Sequence, residues 1–488
     1  RDPRGNTLGR GTELILHLKP DADDYLDERK LEEIVTRYSQ FVVFPIWLWK
    51  GLNETWERVN AAEAIWRREP ENVSEEEYSE FYKAITGKKE DPLAHDRFKV
   101  ESEAQVTCLV FVPKRQDPLQ TIAGFRPPEN TCRLYVKRVL ISNFNSTMPE
   151  YLKFVYAIID SDDLPLNVSR ENIQHAKILQ ALIQKIVRKI LDLFSSLPPE
   201  TYETFWKEFG TQIKHGLIED GRNKVRLSKL LRFYSSKSPK NFTSLTDYVK
   251  RMREDQPPVI YYVSARSVDE AEKSAFGERV RSMGYEVLYL VDAIDEFALH
   301  VLPEFDGKRF QNVAKEGLDL GKDERKEAEF QPLVKWIEDN YKDKVYSCHV
   351  SDRLVKSAMV FVAAQWGYDG NMQRIAMSQA YQKVGGDAAT THFATMKRKL
   401  EINPNNPLIQ NLLSRVKENK DMHELKKRTD LLIETALIRS GYEVFDTKTY
   451  ADQVEQLIKH QLGVEDSDEL QDEGEMPEID STETHDEL

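Results

Sequence analysis

The chain has 488 residues, 40% of them hydrophobic and 31% charged, which is enough for about two to four globular domains. Its net charge of −14 lies mostly at one end, because residues 463–488 contain twelve carboxylate side chains and no lysine or arginine. This distribution predicts a nearly neutral body with a disordered acidic tail, and it excludes nucleic acid as the expected partner.

The cysteine and histidine patterns argue against a metal site. Cys108, Cys132 and Cys348 are too few and too scattered for a disulfide framework or a zinc cluster, and the ten histidines show no metal-ligand spacing. We expect Cys108, inside an apolar run, to be a buried free thiol. No apolar run is long enough to span a membrane. The chain starts at Arg1 without an export signal, which predicts a fragment or a processed product.

The predicted elements begin with a strand over residues 12–19, where Leu14, Leu16 and Leu18 alternate on one face. An amphipathic helix follows over residues 25–41. Farther on, the pattern predicts a helix over residues 75–86 and strands over 105–113 and 133–141. A long amphipathic helix is predicted over residues 172–194, and helical structure over 199–234.

The second half begins with a strand–helix–strand pattern over residues 259–264, 268–283 and 286–291, which predicts a parallel pair with a right-handed crossover. Two late helices are predicted over residues 423–440, ended by Gly441, and from an Asp446 cap to Gly463. Their apolar stripes leave a face to bury, either in a symmetric four-helix dimer contact or by packing within the chain.

The segment Leu164–Glu171 places a cation at the start of the long helix. Ser169 is a natural N-cap, so Arg170 falls in the first turn, where a positive charge costs up to about 1 kcal/mol. An arriving anion would compensate, because helix N–H groups and a guanidinium together form a phosphate site. Gln174 lies one turn farther on the same face. The alternative is an Arg170 that is solvated or paired with Glu171 or Asp163.

This segment, preceded by Ile159–Asp163, closely resembles the catalytic loop of the heat-shock protein 90 chaperones. Further segments resemble that family in the same order along the chain: Asp2–Thr12, Tyr38–Phe41, Phe44–Ile46, Glu304–Lys308, Gly370–Met372, Glu401–Pro404 and Arg439–Tyr442. The last four residues, His485, Asp486, Glu487 and Leu488, are a retrieval address for the endoplasmic reticulum. The chain is therefore similar to the reticulum paralogue of the family.

The resemblance implies an α/β (α+β) multidomain fold. The expected parts are the end of the nucleotide-binding domain (1–50), a shortened linker (51–57), a middle domain (58–325), a C-terminal dimerisation domain (326–462) and the acidic tail (463–488). The middle domain would contain a large αβα part (58–195), a helical connector (196–255) and a small αβα part (256–325). The family's adenine pocket lies before Arg1, so the chain alone is expected to be inactive as an ATPase.

Site residues follow from the same resemblance. It implies that Arg170, Gln174 and Asn167 serve catalysis, and that Arg170, Thr12 and Lys137 contact ATP, whose Mg²⁺ would be bound mainly outside this chain. It also implies client contacts at the following positions: Trp66, Trp366, Tyr368, Met372 and Met377. A packing role is the alternative at Trp66, and a core helix at residues 366–377.

Five glycosylation sequons occur. We expect Asn53, Asn72, Asn145 and Asn241 to be possible N-glycan acceptors, and Asn167 to be unoccupied because a glycan there would block the phosphate site.

The implied function is that of an ATP-dependent, homodimeric chaperone for secretory-pathway proteins in the lumen of the endoplasmic reticulum. The expected partners are partly folded clients, a second copy of the chain and the retrieval receptor, with no membrane span. One alternative is a non-enzymatic luminal scaffold that binds clients or calcium, with weak Ca²⁺ binding on the tail. The other is a DNA-handling ATPase with a similar split site, which the acidic charge and the luminal address argue against.

Overall fold

The computed structural model describes residues 10–42, 44–51, 54–60, 64–101, 105–116, 131–143, 148–164, 176–321, 324–382, 398–419, 422–444 and 446–463. These residues form two compact units. The first unit comprises the described residues within Arg1–Ile260 and Ile294–Phe310, and the second those within Tyr261–Ala293 and Gln311–Leu488. This division leaves the finer domain boundaries expected from the sequence as predictions.

The described α-helices, in chain order, are α1 (Glu28–Ser39), α2 (Glu75–Thr86), α3 (Ala176–Ser196), α4 (Pro199–Glu219), α5 (Lys224–Leu230), α6 (Leu245–Arg251), α7 (Val268–Lys273), α8 (Glu278–Ser282), α9 (Asp295–Val301), α10 (Glu324–Asn340), α11 (Gly370–Gln382), α12 (Pro407–Glu418), α13 (Met422–Arg439) and α14 (Thr447–Leu462). No helix in this part of the chain combines the length and the apolar character needed to cross a bilayer.

The described strands are β1 (Trp47–Lys50), β2 (Thr55–Arg58), β3 (Ala94–Glu101), β4 (Gln105–Val112), β5 (Cys132–Val136), β6 (Val139–Asn143), β7 (Tyr156–Ser161), β8 (Arg232–Ser235), β9 (Ser238–Ser244), β10 (Val259–Ser264), β11 (Val287–Leu290), β12 (Glu304–Phe305), β13 (Lys308–Asn312), β14 (Val345–Val350), β15 (Met359–Val362) and β16 (Arg398–Ile402). The mixed α/β fold class expected from the sequence is confirmed.

A five-stranded sheet with the order β3-β4-β7-β5-β6 organises the first unit. β7 pairs in parallel with β5 and antiparallel with β4. In both β4 and β7, every residue after the first is buried, as expected for central strands that are covered on both faces. An aromatic cluster packs under one face of the sheet: Phe41, Trp66, Phe81, Tyr82, Phe111 and Tyr135.

The second unit contains the parallel pair β10–β11 and a three-stranded sheet with the order β14-β16-β15. Apolar side chains of α10, α12 and α13 form one core with the three-stranded sheet, including Leu333, Phe361, Leu400, Leu412 and Ile433. The predicted parallel strand–helix–strand unit is thus present, although its helical part is divided between α7 and α8.

Two local predictions were wrong. The run 133–141 is a hairpin of β5 and β6, with Lys137 and Arg138 as its two turn residues, instead of a single strand. The predicted helical region 199–234 ends early, because Arg232 begins β8. In addition, residues 12–19 form no β-ladder with any described residue, and Leu14 and Leu16 are more than two-thirds exposed. A segment with an alternating apolar pattern forms a β-ladder only if a partner strand is present to accept and donate its backbone hydrogen bonds.

Candidate functional site

A buried carboxylate marks the carboxyl end of the central strand β7. The side chain of Asp160 is 0% exposed, and its Oδ2 accepts hydrogen bonds from Trp66 Nε1 at 2.8 Å and Arg67 Nε at 2.7 Å. Burying an isolated carboxylate is costly, so these two donors are what makes Asp160 tolerable in the core. Asp160 lies 93 residues from Arg67 along the chain, so the pair connects two distant segments.

Asp162, two residues later, binds the other side of the same guanidinium. Arg67 Nη1 and Nη2 donate to the two carboxylate oxygens of Asp162, each at 2.8 Å. The hydrogen bond from Arg67 is the main reason why the pKa of Asp162 lies below its usual value, and Arg67 and the cations Arg138 and Lys137 add attraction. We call Trp66, Arg67, Asp160 and Asp162 the carboxylate anchor.

The turn between β5 and β6 presents two cations beside the anchor. Lys137 and Arg138 have φ angles of 51° and 67°, and their positive φ values fit a two-residue turn that normally favours asparagine and glycine. The backbone N–H of Lys137 donates to Ser161 O at 3.0 Å, which ties the turn to the end of β7. Lys137 is exposed, so its ammonium group is available to an anion.

The chain continues directly from the anchor into residues Leu164–Glu171, which we call the arginine-bearing segment. Ser161 Oγ donates to Gln105 O at 2.8 Å and accepts from the N–H of Asp163 at 3.3 Å, which fixes the last turn before the buried Leu164. Arg170, Gln174 and Asn167 lie outside the described residues, and their predicted roles remain predictions. Helix α3 is described from Ala176 onward, and its buried face contains Leu182, Ile183, Ile186, Val187, Ile190 and Phe194.

The other residues that the sequence predicts to contact nucleotide or clients differ in how exposed their side chains are. Thr12 is exposed, because no helix or strand of the described part of the chain packs over it. Trp66 is 0% exposed and contacts Phe41 edge-to-face at a centroid distance of 4.7 Å. In this conformation Trp66 is a packing residue, and a client contact there would require it to leave the core.

The segment predicted to contact clients, residues 366–377, begins with Trp366, whose side chain is 76% exposed. Tyr368 is half-buried, and Met372 is buried on α11. Met377 lies on α11, and its side chain falls outside the described part. The start of α11 is fixed by Asp369, whose Oδ1 accepts from the N–H of Met372 at 2.9 Å. An exposed aromatic side chain thus precedes a firmly capped helix.

The two late helices have different surroundings. Helix α13 buries Leu425, Thr429, Ile433 and Ala436 within the second unit. Helix α14 has no buried residue, and its Leu457, Ile458 and Leu462 are 47%, 47% and 73% exposed. Asp446 and Gly463 cap α14 as predicted, with Asp446 Oδ1 accepting from the N–H of Thr449 at 3.0 Å. Leu457, Ile458 and Leu462 therefore lie on the surface of the described part of the chain.

The other predicted positions are distributed as follows. Asn72 and Asn241 are exposed, whereas Asn53, Asn145 and the retrieval address His485–Leu488 lie outside the described residues. Cys108, Cys132 and Cys348 are buried free thiols, as expected for Cys108, and burial raises the pKa of Cys132 to about 12. Among the described residues no group of three acidic, histidine or cysteine side chains is arranged to hold a metal ion.

Sequence reasoning missed the anchor. No sequence pattern distinguishes Arg67, and Asp160 stands out only as part of the Ile159–Asp163 motif. The available signal was an aspartate that ends an apolar strand in Ala157–Asp160, because a buried carboxylate requires a donor elsewhere in the chain.

Comparison with known proteins identifies the family of the chain. The family model described as Hsp90 protein matches residues 50–488. The chain therefore belongs to the Hsp90 family. It is 41% identical over 508 aligned residues to the endoplasmin homolog of Caenorhabditis elegans, an alignment that covers 95% of this chain. The same alignment covers 66% of that relative, so the chain spans a little under two thirds of its length.

Proposed function

We propose that this chain is the client-binding and dimer-forming part of an ATP-dependent chaperone of the endoplasmic reticulum lumen. Membership of the Hsp90 family over residues 50–488 is the observation that carries this proposal. The retrieval address at His485–Leu488 supports the luminal location, and the similarity to an endoplasmin homolog points the same way.

The proposed role of Arg170 is to neutralise the charge that develops on the terminal phosphate of ATP. Phosphoryl transfer depends mainly on positioning and charge neutralisation, so a guanidinium at that point lowers the barrier. Gln174 and Asn167 shape the segment, while Lys137 and Thr12 are further contacts to the nucleotide. ATP with Mg²⁺ is held mainly by a nucleotide-binding domain outside these 488 residues, and we expect no saturable ATP turnover from the chain alone.

The carboxylate anchor supports this role because it holds the entrance of the arginine-bearing segment. Two donors fix Asp160 and a two-pronged pair fixes Asp162, so the backbone from Ser161 to Leu164 starts from one defined position. A catalytic arginine needs such a support, because small displacements of a charge-neutralising group cost much of its effect.

The client-binding role rests on Trp366 and its neighbours. A large exposed aromatic side chain suits binding to many apolar segments without commitment to one. The dimer role rests on the exposed apolar residues of α14, which a second copy would bury in a four-helix contact.

Suppression of aggregation tests the chaperone proposal. We expect the chain to reduce light scattering from a chemically denatured test protein, and Trp366→Ala to weaken that effect severalfold without a change in circular dichroism. Tyr346→Ala, a change at another exposed aromatic residue (76% exposed), is the matched control and should retain the effect. If neither variant loses the effect, the assignment of Trp366 as a client contact is contradicted.

A non-enzymatic luminal scaffold that binds clients or calcium is the second candidate. The twelve carboxylates of residues 463–488 favour it, since such a tail can hold Ca²⁺ weakly. It predicts client capture that is unaffected by ATP and by Arg170→Ala in the protein that includes its nucleotide-binding domain.

A further inference from the structure

A cleft of about 540 Å³ opens in the second unit at the carboxyl end of β10. Ser264 is the last residue of β10 to pair with β11, and the N–H of Ala265 donates to Leu290 O at 3.0 Å as the chain turns toward α7. The first residues of α11 and the last of α13 complete the walls. In α/β proteins, small ligands bind preferentially at this end of parallel strands.

The cleft contains more cations than carboxylates. Its basic side chains are Arg266, Lys273, Arg374 and Arg439, and its carboxylates are Asp269, Glu270 and Asp369. Two of the carboxylates already have cationic partners: Arg266 Nε lies 2.9 Å from Glu270 Oε2, and Lys273 Nζ lies 2.8 Å from Asp269 Oδ2.

The third carboxylate, that of Asp369, is already hydrogen-bonded within the protein. Asp369 is 3% exposed, and it accepts from the N–H of Met372 at 2.9 Å and from Asn312 Nδ2 at 2.8 Å. Both of its oxygens therefore serve to cap α11 and to hold the chain near Asn312. Among the described residues, Arg374 forms no ion pair with these carboxylates, although Glu270 and Asp369 attract it at longer range.

Arg374 is the more constrained of these two arginines. It is half-buried, and its Nη2 donates to the side-chain oxygen of the neighbouring Asn371. Burial is the main cause that lowers the pKa of Arg374, and the charge of Arg266 adds to it; the attraction of Glu270, Glu443 and Asp369 offsets these effects only in part. This is the electrostatic situation that an anion would relieve.

We propose that this cleft binds a small phosphate monoester, whose phosphate group lies between Arg374 and Arg439. A phosphate monoester carries about −1.5 to −2 charges at neutral pH and so matches two arginines that form no ion pair among the described residues of the cleft, whereas a carboxylate matches only one. The planar guanidinium of Arg374 suits two-pronged binding of phosphate oxygens. The volume of the cleft leaves room for an organic body attached to the phosphate. This inference is independent of the proposed ATP-driven chaperone activity.

Isothermal titration calorimetry of the complete 488-residue chain with glucose 6-phosphate tests the proposal, at about 150 mM salt to screen non-specific attraction. We expect saturable binding with one site, weaker binding of inorganic phosphate and no binding of glucose. Arg374→Gln should weaken the affinity about tenfold or more, because it removes charge-assisted hydrogen bonds. Arg374→Lys should lie between that variant and the unmodified chain.

Arg428→Gln is the matched control, because Arg428 lies on α13 with Arg439 but outside the cleft and has the same charge. It should bind glucose 6-phosphate as the unmodified chain does. Arg439→Gln, at an exposed position, should also weaken binding and serves if Arg374→Gln fails to fold by circular dichroism. Three results would each overturn the proposal. The variants of Arg374 and Arg439 could keep the affinity of the unmodified chain, or Arg428→Gln could lose as much affinity as they do. Glucuronate could also bind as tightly as glucose 6-phosphate.

Discussion

Arg67 and Asp162 are joined by two parallel hydrogen bonds of 2.8 Å, while the remaining guanidinium nitrogen of Arg67 bonds the buried Asp160 at 2.7 Å. One guanidinium thus binds two carboxylates at the end of the central strand of the sheet. It does so at the point where the chain enters the segment that carries Arg170.

The first prediction concerns the stability of the first unit. Arg67→Ala leaves Asp160 buried with only Trp66 as a donor, so we expect a loss of about 2–4 kcal/mol in the free energy of unfolding. Urea denaturation followed by tryptophan fluorescence measures this loss. Arg253→Ala, which breaks an exposed pair with Asp255, should cost less than about 1 kcal/mol. Equal losses in the two variants would show that Asp160 does not depend on Arg67.

The second prediction concerns acid stability of the second unit. Glu278 accepts hydrogen bonds from the N–H groups of Val355, Lys356 and Ser357 and from the Ser357 hydroxyl. Burial opposes ionisation of Glu278, but these bonds outweigh it and hold its pKa below the ordinary value of 4.5.

A carboxylate with a lowered pKa in the folded state stabilises the fold fully above its unfolded pKa, and this stabilisation disappears as the pH falls through the folded value. We therefore expect Glu278→Gln to be less stable than the unmodified chain at pH 7, and the difference to shrink below pH 4.5. Thermal unfolding at a series of pH values measures it. A difference that stays constant from pH 7 to pH 3 would refute the role of the ionised form.

The third prediction concerns close packing at the start of α11. A Cβ atom on Gly370 would lie 2.4 Å from the backbone carbon of Gly441, which follows α13. Gly370→Ala should therefore destabilise the second unit by about 1–3 kcal/mol through overpacking. Gly221→Ala, where nothing lies within 4 Å of the added Cβ, is the control and should be nearly neutral. Differential scanning calorimetry compares the two variants.

The fourth prediction concerns assembly. If α14 contacts a second copy through Leu457 and Ile458, light scattering should give the mass of a dimer, and Leu457→Glu with Ile458→Glu should give a monomer. Leu408→Glu, at a residue on α12 that is 59% exposed, is the control and should leave the dimer intact. A monomeric unmodified chain would contradict the assignment of α14 as the dimer contact.

Much of the local structure could be predicted from sequence because its causes are local. The α2 helix has its predicted ends at Glu75 and Thr86, since Ser74 forms a capping box with Glu77 and Gly87 ends the helix with a φ of 71°. The buried stripe of α3 follows the 3.6-residue period. The cap of α14 at Asp446 was equally visible in the sequence.

The remaining features depend on distant or atypical partners. The turn at Lys137 and Arg138 lacks the asparagine or glycine that signals a two-residue hairpin, so the sequence pattern predicted one uninterrupted strand. The carboxylate anchor joins residues more than 90 positions apart, and no local pattern identifies such a pair. The alternation at residues 12–19 indicates a strand only where a neighbouring strand is available.

The central claim is that Arg170 acts on the terminal phosphate of ATP. The most direct measurement is ATP turnover and nucleotide affinity of Arg170→Ala in the protein that includes its nucleotide-binding domain, with Arg188→Ala on α3 as the control. We predict that turnover falls by the equivalent of about 2–4 kcal/mol of barrier while nucleotide affinity stays nearly unchanged, and that the control behaves as the unmodified protein. Unchanged turnover in Arg170→Ala, or a large loss of affinity in place of turnover, would contradict the account.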